Sequence, residues 1–458
     1  MQRIIFRRLS SVSNSSDQCM NALRTIWDPV LGNDVVSLGM IEIENKSERD
    51  VMIKVDVGSA AHPAREEIAN ACALALEKVS GLDTVEVNVT ASGFGSSVMY
   101  SGKEQAAQGG VGLHNVSWAI AVSSAKGGVG KSTVAMQLAR ALIKQGARVG
   151  LADVDVEGPS LPTLIGIDES TDLKHLLKPA PAGGNLIAPL ERDGLRLASS
   201  GFVQAPDGLA AALRGPLAAR VATQVLAATD WGRLDYLLLD FPPGIGDVPI
   251  SLARDFSIHA NVLVTTPSKL AVADVKRGAP LLETFKVPTI ATVTNMAYFK
   301  CSNCDQKHRL FGPDSLETTL PFGDDQLTLE LPFSLAVRDT NEMLRSQDEK
   351  NDPESEAAYN SLAKHLVSRL LLNAVKTKNI HLDAYLNSTS DAIILRSIDS
   401  DGAHQFQIPL SDLRTSSQKQ SATPTRVGVI AKRALSLDWS DGRRNDLHDL
   451  NDLFRRFR

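Results

Sequence analysis

Residues 123–133 read S-S-A-K-G-G-V-G-K-S-T, and this stretch decides the fold of the chain around it. It follows a short apolar run, residues 118–122, and precedes a run with helical spacing, residues 133–144. A strand followed by a glycine-rich turn and the first turn of a helix forms a phosphate-binding site, because the backbone N–H groups of the turn point at anionic oxygens. A glycine-rich turn without a ligand is the alternative, but the order of the three parts favours a nucleotide-binding loop.

The residues of this loop have separate expected tasks. Lys131 is expected to reach the β- and γ-phosphates of ATP, and Ser132 to hold Mg²⁺. Ala125 stands where the pattern G-x-x-x-x-G-K-[ST] has its first glycine, and Lys126 adds a second lysine at the start of the loop. This extra lysine is typical of one branch of nucleotide hydrolases. The loop residues expected to bind ATP and Mg²⁺ are Gly127, Gly128, Val129, Gly130, Lys131, Ser132 and Thr133.

Length and composition exclude several classes of protein. A chain of 458 residues is long enough for about three domains. The net charge of −5 provides no global basic field for nucleic acid, and no apolar run approaches the ~20 residues of a membrane-spanning helix. Of the four cysteines, Cys19 and Cys72 are isolated, whereas Cys301 and Cys304 form one C-x-x-C. In a reducing compartment such a pair indicates metal binding or redox chemistry.

The first sixteen residues differ in composition from the rest. Arginines alternate with apolar residues, serines follow, and no acidic residue precedes Asp17. This composition predicts an organellar transit peptide over residues 1–16, for the mitochondrion before the plastid. A disordered N-terminus of a cytoplasmic protein is the alternative.

Residues 17–91 predict a small α/β domain. Helices are expected over 19–26 and 63–79, and strands over 35–44, 51–57 and 85–89. The W-D-P, V-S-L-G-M-I and G-L-D-T-V-E-V stretches resemble the SufT-like domain of iron–sulfur assembly proteins. That family carries a reactive cysteine before a proline, at the position that His62 occupies here. We expect His62 to be a surface histidine rather than a ligand, and residues 92–116 to be a linker.

Residues 117–373 alternate between strand-like and helical runs. The nearly continuous apolar strands suit a parallel sheet that is covered on both faces, so the fold class is a doubly wound α/β domain. Ligands of such domains bind at the carboxyl ends of the strands. The predicted strands are 118–122, 148–152, 195–199, 236–239, 261–265 and 289–293, with helices at 131–145 and 270–285 among the connections.

Aspartates follow two of these apolar runs. Asp240 ends the run L-L-L-D, and we expect it to contact the Mg²⁺ shell through water. Asp155, in D-V-D-V-E-G-P-S, is the candidate group that orients or deprotonates the attacking water. Asp153 precedes it, and capping of the loop is as plausible for Asp153 as a direct role.

The motifs together resemble the Mrp/ApbC-type P-loop ATPases that carry iron–sulfur clusters, relatives of the MinD and ParA group. The resemblance covers residues 117–372. It rests on S-A-K-G-G-V-G-K-S-T, D-V-D-V-E-G-P-S-L-P, L-R-G-P, L-L-L-D-F-P-P-G-I-G-D, V-T-T-P and T-N-M before the C-x-x-C. It implies that Lys126 reaches the phosphates of a partner chain in a homodimer, that Asp155 acts on water, and that Asn295 reads the adenine. Ile245 and Ser268 depart from the family pattern without removing a phosphate or metal group.

Cys301 and Cys304 supply half of a tetrahedral zinc site or of a four-iron cluster, and His308 is the only additional ligand type nearby. One chain therefore binds metal weakly, or two chains share one site, or the pair exchanges disulfides. From the residues alone, zinc and cluster stay open. The resemblance favours a 4Fe–4S cluster that bridges two chains.

Residues 374–458 predict a small β-rich domain. Its run L-S-L-D-W-S-D-G, residues 435–442, resembles the domain fused to plant-like carriers. The tail, residues 446–457, has near-helical spacing, and we expect a helix docked on its own domain rather than a membrane-binding tail, because anionic lipid repels its aspartates.

The sequence as a whole predicts a slow ATPase with Lys126, Lys131 and Asp155 as catalytic residues. Its expected cargo is an iron–sulfur cluster delivered from cluster scaffolds to apo iron–sulfur proteins, without nucleic acid or membrane. A positioning ATPase of the MinD/ParA type and a zinc-stabilised nucleotide-binding scaffold are the alternatives.

Overall fold

The computed structural model describes two units of the chain. The first combines residues 1–93 with 97–371, and the second combines 94–96 with 372–458. Among the described residues, no helix is both long and apolar enough to cross a membrane. The predicted linker, 92–116, lies mostly outside the described residues. Those residues are 3–7, 15–45, 50–79, 84–93, 112–113, 115–167, 178–181, 186–202, 215–244, 246–268, 270–271, 273–275, 282, 284–301, 303–309, 326–333, 353–378, 381–386, 392–399, 402–413, 424–430, 434–439 and 446–449.

The N-terminal part of the first unit is an α/β layer. Its sheet has the order β1-β6-β5-β4, with β5 and β6 parallel and the two outer pairs antiparallel. Both central strands alternate half-buried and buried residues, as expected when one face packs on helices. The elements are β1 (Arg3–Arg7), α1 (Ser15–Leu23), β2 (Trp27–Asp28), β3 (Asn33–Asp34), β4 (Ile41–Asn45), β5 (Asp50–Asp56), α2 (Arg65–Glu77) and β6 (Thr84–Thr90).

The strand expected over 35–44 is wrong in its first half, because the Asp34 carboxylate accepts the N–H groups of Val36 and Ser37 and folds this segment into a turn. The predicted transit peptide, 1–16, contains β1, which pairs with β6, and its role as a leader stays a prediction.

His62 is buried, so its prediction as a surface residue is wrong. Its Nδ1 accepts the N–H of Ala64 at 3.1 Å, and its Nε2 lies 3.2 Å from Oδ2 of Asp28. Burial would raise the pKa of Asp28, but the neighbouring His62 ring and the backbone N–H groups of Leu31 and Val30 lower that pKa below its usual value. A polar partner in the interior therefore holds the histidine inside, which a sequence pattern does not reveal.

The second part of this unit is built on a nine-stranded sheet. Its strand order is β11-β12-β8-β13-β7-β14-β15-β16, and β17 also pairs with β15. All neighbouring pairs between β12 and β15 in this order are parallel, and so is the pair of β15 with β17. This confirms the predicted doubly wound α/β class. The nine strands are β7 (Val116–Ser124), β8 (Val149–Asp153), β11 (Leu190–Arg192), β12 (Leu195–Ser199), β13 (Leu234–Asp240), β14 (Ala260–Thr265), β15 (Thr289–Lys300), β16 (Lys307–His308) and β17 (Leu327–Pro332). Strands β9 (Lys178–Pro179) and β10 (Ile187–Ala188) pair with each other in a separate two-stranded sheet.

Every residue of the central strands β8, β13 and β14 is buried, in agreement with the apolar runs that predicted them. Strand β15 extends well beyond the predicted 289–293, and only part of the helix expected over 270–285 is described. The helices are α3 (Lys131–Lys144), α4 (Leu161–Leu164), α5 (Pro216–Ala227), α6 (Asp247–Asp255) and α7 (Pro353–Lys378).

A buried polar contact joins the two parts of this first unit. The hydroxyls of Ser59 and Tyr236 are 2.5 Å apart, and the Tyr236 ring stacks on Trp118 with 5.3 Å between centroids. Burial raises the pKa of Tyr236 far above its usual value, so its hydroxyl stays protonated. The N-terminal part therefore contacts β7 and β13 near the starts of these strands.

The second unit contains two three-stranded antiparallel sheets, as expected for a β-rich domain. The predicted C-terminal helix is wrong over its first four residues, which form a strand paired with its neighbour; residues 450–458 lie outside the described ones. The elements are β18 (His381–Leu386), β19 (Ala392–Asp399), β20 (Gly402–Pro409), α8 (Leu410–Leu413), β21 (Pro424–Ile430), β22 (Ala434–Trp439) and β23 (Asp446–Asp449).

The hydroxyl pair between Ser59 and Tyr236 gives a testable prediction. Tyr236→Phe and Ser59→Ala should each lower the free energy of unfolding by about 1–2 kcal/mol, because each removes the hydrogen bond between the two buried hydroxyls. In the double variant the losses should not add, since one interaction is removed twice. Thermal unfolding midpoints of the four proteins measure this cycle, and strictly additive losses would show that the two hydroxyls do not interact.

Candidate nucleotide and metal site

Parallel register brings the predicted phosphate loop and the predicted carboxylates together. Asp240, at the end of β13, is paired with Asp153 at the end of β8 and with Val122 of β7. The phosphate loop leaves β7 after Ser124. The three strands thus end side by side at one edge of the sheet, as the doubly wound fold requires.

The loop backbone suits an anion. Gly128 and Gly130 have φ values of 77° and 83°, which favour glycine, and a Cβ on Gly130 would lie 2.2 Å from Nδ2 of Asn295. Ala125 is not among the residues with left-handed φ, so the alanine fits the first position without strain. Lys126 is exposed at the start of the loop, where a second chain would have access to it.

Lys131 lies buried against two of the other predicted site residues. Its Nζ forms an ion pair with Oδ1 of Asp240 and lies 3.4 Å from Oγ of Ser132. A hydroxyl and buried carboxylates are oxygen donors of the kind that Mg²⁺ prefers, so the donor set fits this ion. With Mg²⁺·ATP bound, Lys131 and Ser132 would hold the phosphates and the ion, and Asp240 would face the shell of the ion.

Asp153 both caps its loop and belongs to the charged cluster. Its oxygens accept the N–H groups of Asp155 and Leu161 and the hydroxyl of Ser199, at 2.9–3.1 Å. Burial, together with the charge of Asp240, raises the pKa of Asp153 to about 7 despite these hydrogen bonds. The loop capping expected for Asp153 is therefore observed, and a direct role of this side chain stays a prediction.

Asp155 is half-buried on the same loop. Its Oδ1 accepts the N–H of Gly158 at 3.1 Å, and its carbonyl accepts the Ser200 hydroxyl at 3.2 Å. Burial raises the pKa of Asp155, while the Lys131 charge opposes this rise. A carboxylate with a raised pKa beside a phosphate loop has the property expected of a group that accepts a proton from water.

Asn295 contacts the phosphate loop from β15. Its Nδ2 donates to the carbonyl of Val129 at 2.9 Å, and its Oδ1 accepts the N–H of Met296. Met296 has a left-handed φ of 58°, which turns the strand just after this contact. The side chain therefore touches the loop directly, and its role toward adenine stays a prediction.

Cys301 and Cys304 lie just beyond the end of β15. Cys301 is half-buried and Cys304 is exposed. Backbone N–H groups of Asn303 and Cys304, and then the Cys304 thiol, lower the pKa of Cys301 below its usual value. Across the described part of the chain, no group of three or more His, Cys, Asp or Glu side chains could hold a metal ion, and His308 is exposed in β16. One described chain thus offers two thiols without a complete site.

Several residues at the site were missed in the sequence. Ser199 donates to Asp153, and its position at the carboxyl end of a predicted strand was the available indication. Tyr298 and Glu354, next to the cysteine segment, had no local indication, because they are 56 positions apart in sequence.

The NUBPL iron-transfer P-loop NTPase family matches residues 115–367. The chain belongs to this family. A second match, to a family described as iron-sulfur cluster assembly protein, covers residues 16–89. The resemblance inferred from the motifs is thereby confirmed.

Several individual proteins are similar to this chain. The Fe-S cluster assembly factor HCF101, chloroplastic, of Oryza sativa subsp. japonica is 40% identical over 72% of this chain and 59% of its own length. The iron-sulfur cluster carrier protein of Escherichia coli (strain K12) is 34% identical over 68% of this chain and 80% of its own. A nucleotide-binding protein in complex with ADP from Archaeoglobus fulgidus is 32% identical, covers 52% of this chain and 90% of that chain, and has a TM-score of 0.44.

The chain spans less than two thirds of the length of the rice relative. That relative is named chloroplastic, and none of these relatives supports the mitochondrial address expected from residues 1–16.

The raised pKa of Asp153 predicts a pH dependence of Mg²⁺ binding. Below about pH 7 Asp153 is protonated, and it gains its negative charge as the pH rises. The affinity for Mg²⁺·ADP should therefore rise about tenfold from pH 6 to pH 8. Calorimetric titration of the wild type and of Asp153→Asn measures this, because the variant keeps only the pH dependence of ADP itself. Equal slopes in both proteins would contradict the prediction.

Proposed function

We propose that this protein is an ATP-dependent carrier that holds a 4Fe–4S cluster between two chains and transfers it to apo iron–sulfur proteins. The single observation that carries the proposal is the course of β15. The strand touches the phosphate loop through Asn295 and ends directly before Cys301. A change in the loop on nucleotide binding can thus reach the thiols through the Asn295 hydrogen bond and the chain from Asn295 to Cys301. The names of the relatives, a cluster carrier and an assembly factor, agree with it.

Two features of a single chain support a homodimer. Cys301 and Cys304 are two ligands where a cluster takes four, and Lys126 is exposed at the start of the phosphate loop, where a second chain has access to it. A symmetric pair of chains supplies the other two ligands, with each Lys126 reaching the nucleotide of the other chain. The cluster is cargo in this scheme, received from scaffolds and passed on.

ATP hydrolysis acts as the switch. We propose that Asp155 orients the attacking water, Lys131 and Lys126 stabilise phosphate charge, and loss of the γ-phosphate relaxes the loop. Residues 117–373 would form the ATPase domain, with residues 17–91 and 374–458 as flanking domains. We place the protein in a plastid or in the cytoplasm rather than in a mitochondrion, because the rice relative is named chloroplastic and another relative is bacterial.

The cluster proposal is tested by anaerobic loading with iron and sulfide. The wild type should become brown and hold about two irons per chain, since two chains share four irons. Cys301→Ala/Cys304→Ala should remain colourless. Cys19→Ala/Cys72→Ala is the matched control, because both of these cysteines are buried, and it should load like the wild type. Equal loading of the Cys301/Cys304 variant would refute the proposal.

The hydrolysis proposal is tested with variants of the loop. Lys131→Ala should lose nucleotide binding, whereas Asp155→Ala should bind ATP and hydrolyse it about 10²–10⁴-fold more slowly. Glu157→Ala is the control, because Glu157 is an exposed acid on the same loop. Phosphate release measures turnover, and normal turnover in Asp155→Ala would remove this residue from the mechanism.

A further inference from the structure

The two cysteines lie in the loop of a β-hairpin. Strand β15 pairs with β16 through Phe299 with His308 and Lys300 with Lys307. Inside the loop, the N–H of Cys301 donates to the carbonyl of Gln306 at 3.0 Å, and the N–H of Asp305 donates to the carbonyl of Cys301 at 2.9 Å. These bonds shape the loop itself, but they do not fix its direction relative to the rest of the domain.

A glutamate in the first turn of α7 bonds to side chains of both strands of this hairpin. Oε1 of Glu354 accepts the hydroxyl of Tyr298, from β15, at 2.8 Å. The same oxygen accepts Nζ of Lys307, from β16, and this ammonium lies 4.3 Å from the centroid of the Tyr298 ring. Glu354, Tyr298 and Lys307 therefore form one brace across the base of the hairpin.

The brace is more than an ordinary surface ion pair. A single exposed pair contributes little, because water screens it and two long side chains lose freedom. Here the phenol is 4% exposed, and its backbone carbonyl accepts the N–H of Phe333, so one member of the brace is already fixed. The other two members then add a charge-assisted hydrogen bond and a cation–π contact to a rigid group. The lowered pKa of Glu354, caused first by Lys307 and then by Tyr298, agrees with this arrangement.

We propose that Glu354 is a positioning residue for the metal-binding thiols, which holds the Cys301–Cys304 hairpin at a fixed angle so that a second copy of this chain meets it in register. The inference rests on the proposed function, since it takes both thiols as ligands of a metal shared by two chains. A shared site requires both pairs to point at one centre, and a hairpin fixed before binding loses less entropy on assembly.

Glu354→Gln tests the inference with cobalt(II) as the probe, added to the full-length reduced protein without nucleotide. The amide keeps a hydrogen-bond acceptor for Tyr298 but loses the charge that holds Lys307. Cobalt affinity, followed by thiolate-to-cobalt absorption, should fall about tenfold, the usual loss when a group supporting a ligand is removed. The ligand-field bands should also broaden or shift, because the angle between the two thiol pairs is no longer fixed.

Glu356→Gln is the matched control. Glu356 lies in the same turn of α7, is similarly exposed and pairs with Lys144 at 2.7 Å rather than with the hairpin. It should bind cobalt like the wild type. Tyr298→Phe is the second variant, because it removes one hydroxyl while the ring remains under Lys307, and it should weaken binding in the same direction. Unfolding midpoints of the variants should match that of the wild type within a few degrees.

The outcomes separate the two proposals. Cobalt binding by Glu354→Gln and Tyr298→Phe at wild-type affinity, with unchanged bands, would overturn the positioning role while the proposed function stands. An equal loss in Glu356→Gln would also overturn it, since the effect would then come from charge at the helix start. Absence of thiolate absorption in the wild type itself would count against the proposed function.

Discussion

The buried ion pair between Lys131 and Asp240 is the interaction on which the site depends. Neither charge would be stable alone at this depth, since an unpaired ion in the interior costs several kcal/mol. Lys131 opens α3 and Asp240 closes β13, so the pair ties the phosphate loop to the central sheet. Burial, together with the charge of Asp240, raises the pKa of Asp153 beside this pair, while the charge of Lys131 opposes the rise. The protonation of Asp153 therefore depends on the same packing that joins α3 to β13.

Strand β15 has the second organising role. It pairs with both β14 and β17 and contacts the phosphate loop through Asn295. It then continues into the cysteine hairpin. The phosphate loop and the Cys301–Cys304 pair are therefore connected by one strand. Helix α7 supports the far end of this element at Glu354, and farther along the ring of His365 contacts the carbonyl of Ile290 at the start of the strand.

Much of the fold could be predicted because the relevant physics is local or periodic. The buried strands of the parallel sheet are continuous apolar runs. The phosphate loop is recognised from the spacing of its glycines and from Lys131. Predictions were wrong where a contact of one polar side chain determined the local structure. Asp34 turns residues 35–39 into a loop, and Asp28 gives His62 a partner inside the protein. The predicted tail helix is a strand over Asp446–Asp449, because an open sheet edge offered hydrogen bonds to a short segment.

The sequence by itself determined the chemical parts: a phosphate loop with an extra Lys126, carboxylates after apolar strands, and one pair of thiols. These parts are short motifs, and each carries its chemistry in adjacent residues. Only the tertiary structure decided which parts meet. The alignment of Asp240 with Asp153 comes from strand register, the contact of Asn295 with Val129 from the order of strands, and the brace on the cysteine hairpin from a helix that begins at Pro353. Contacts between residues far apart in sequence depend on the packing of the whole domain, and no local pattern encodes them.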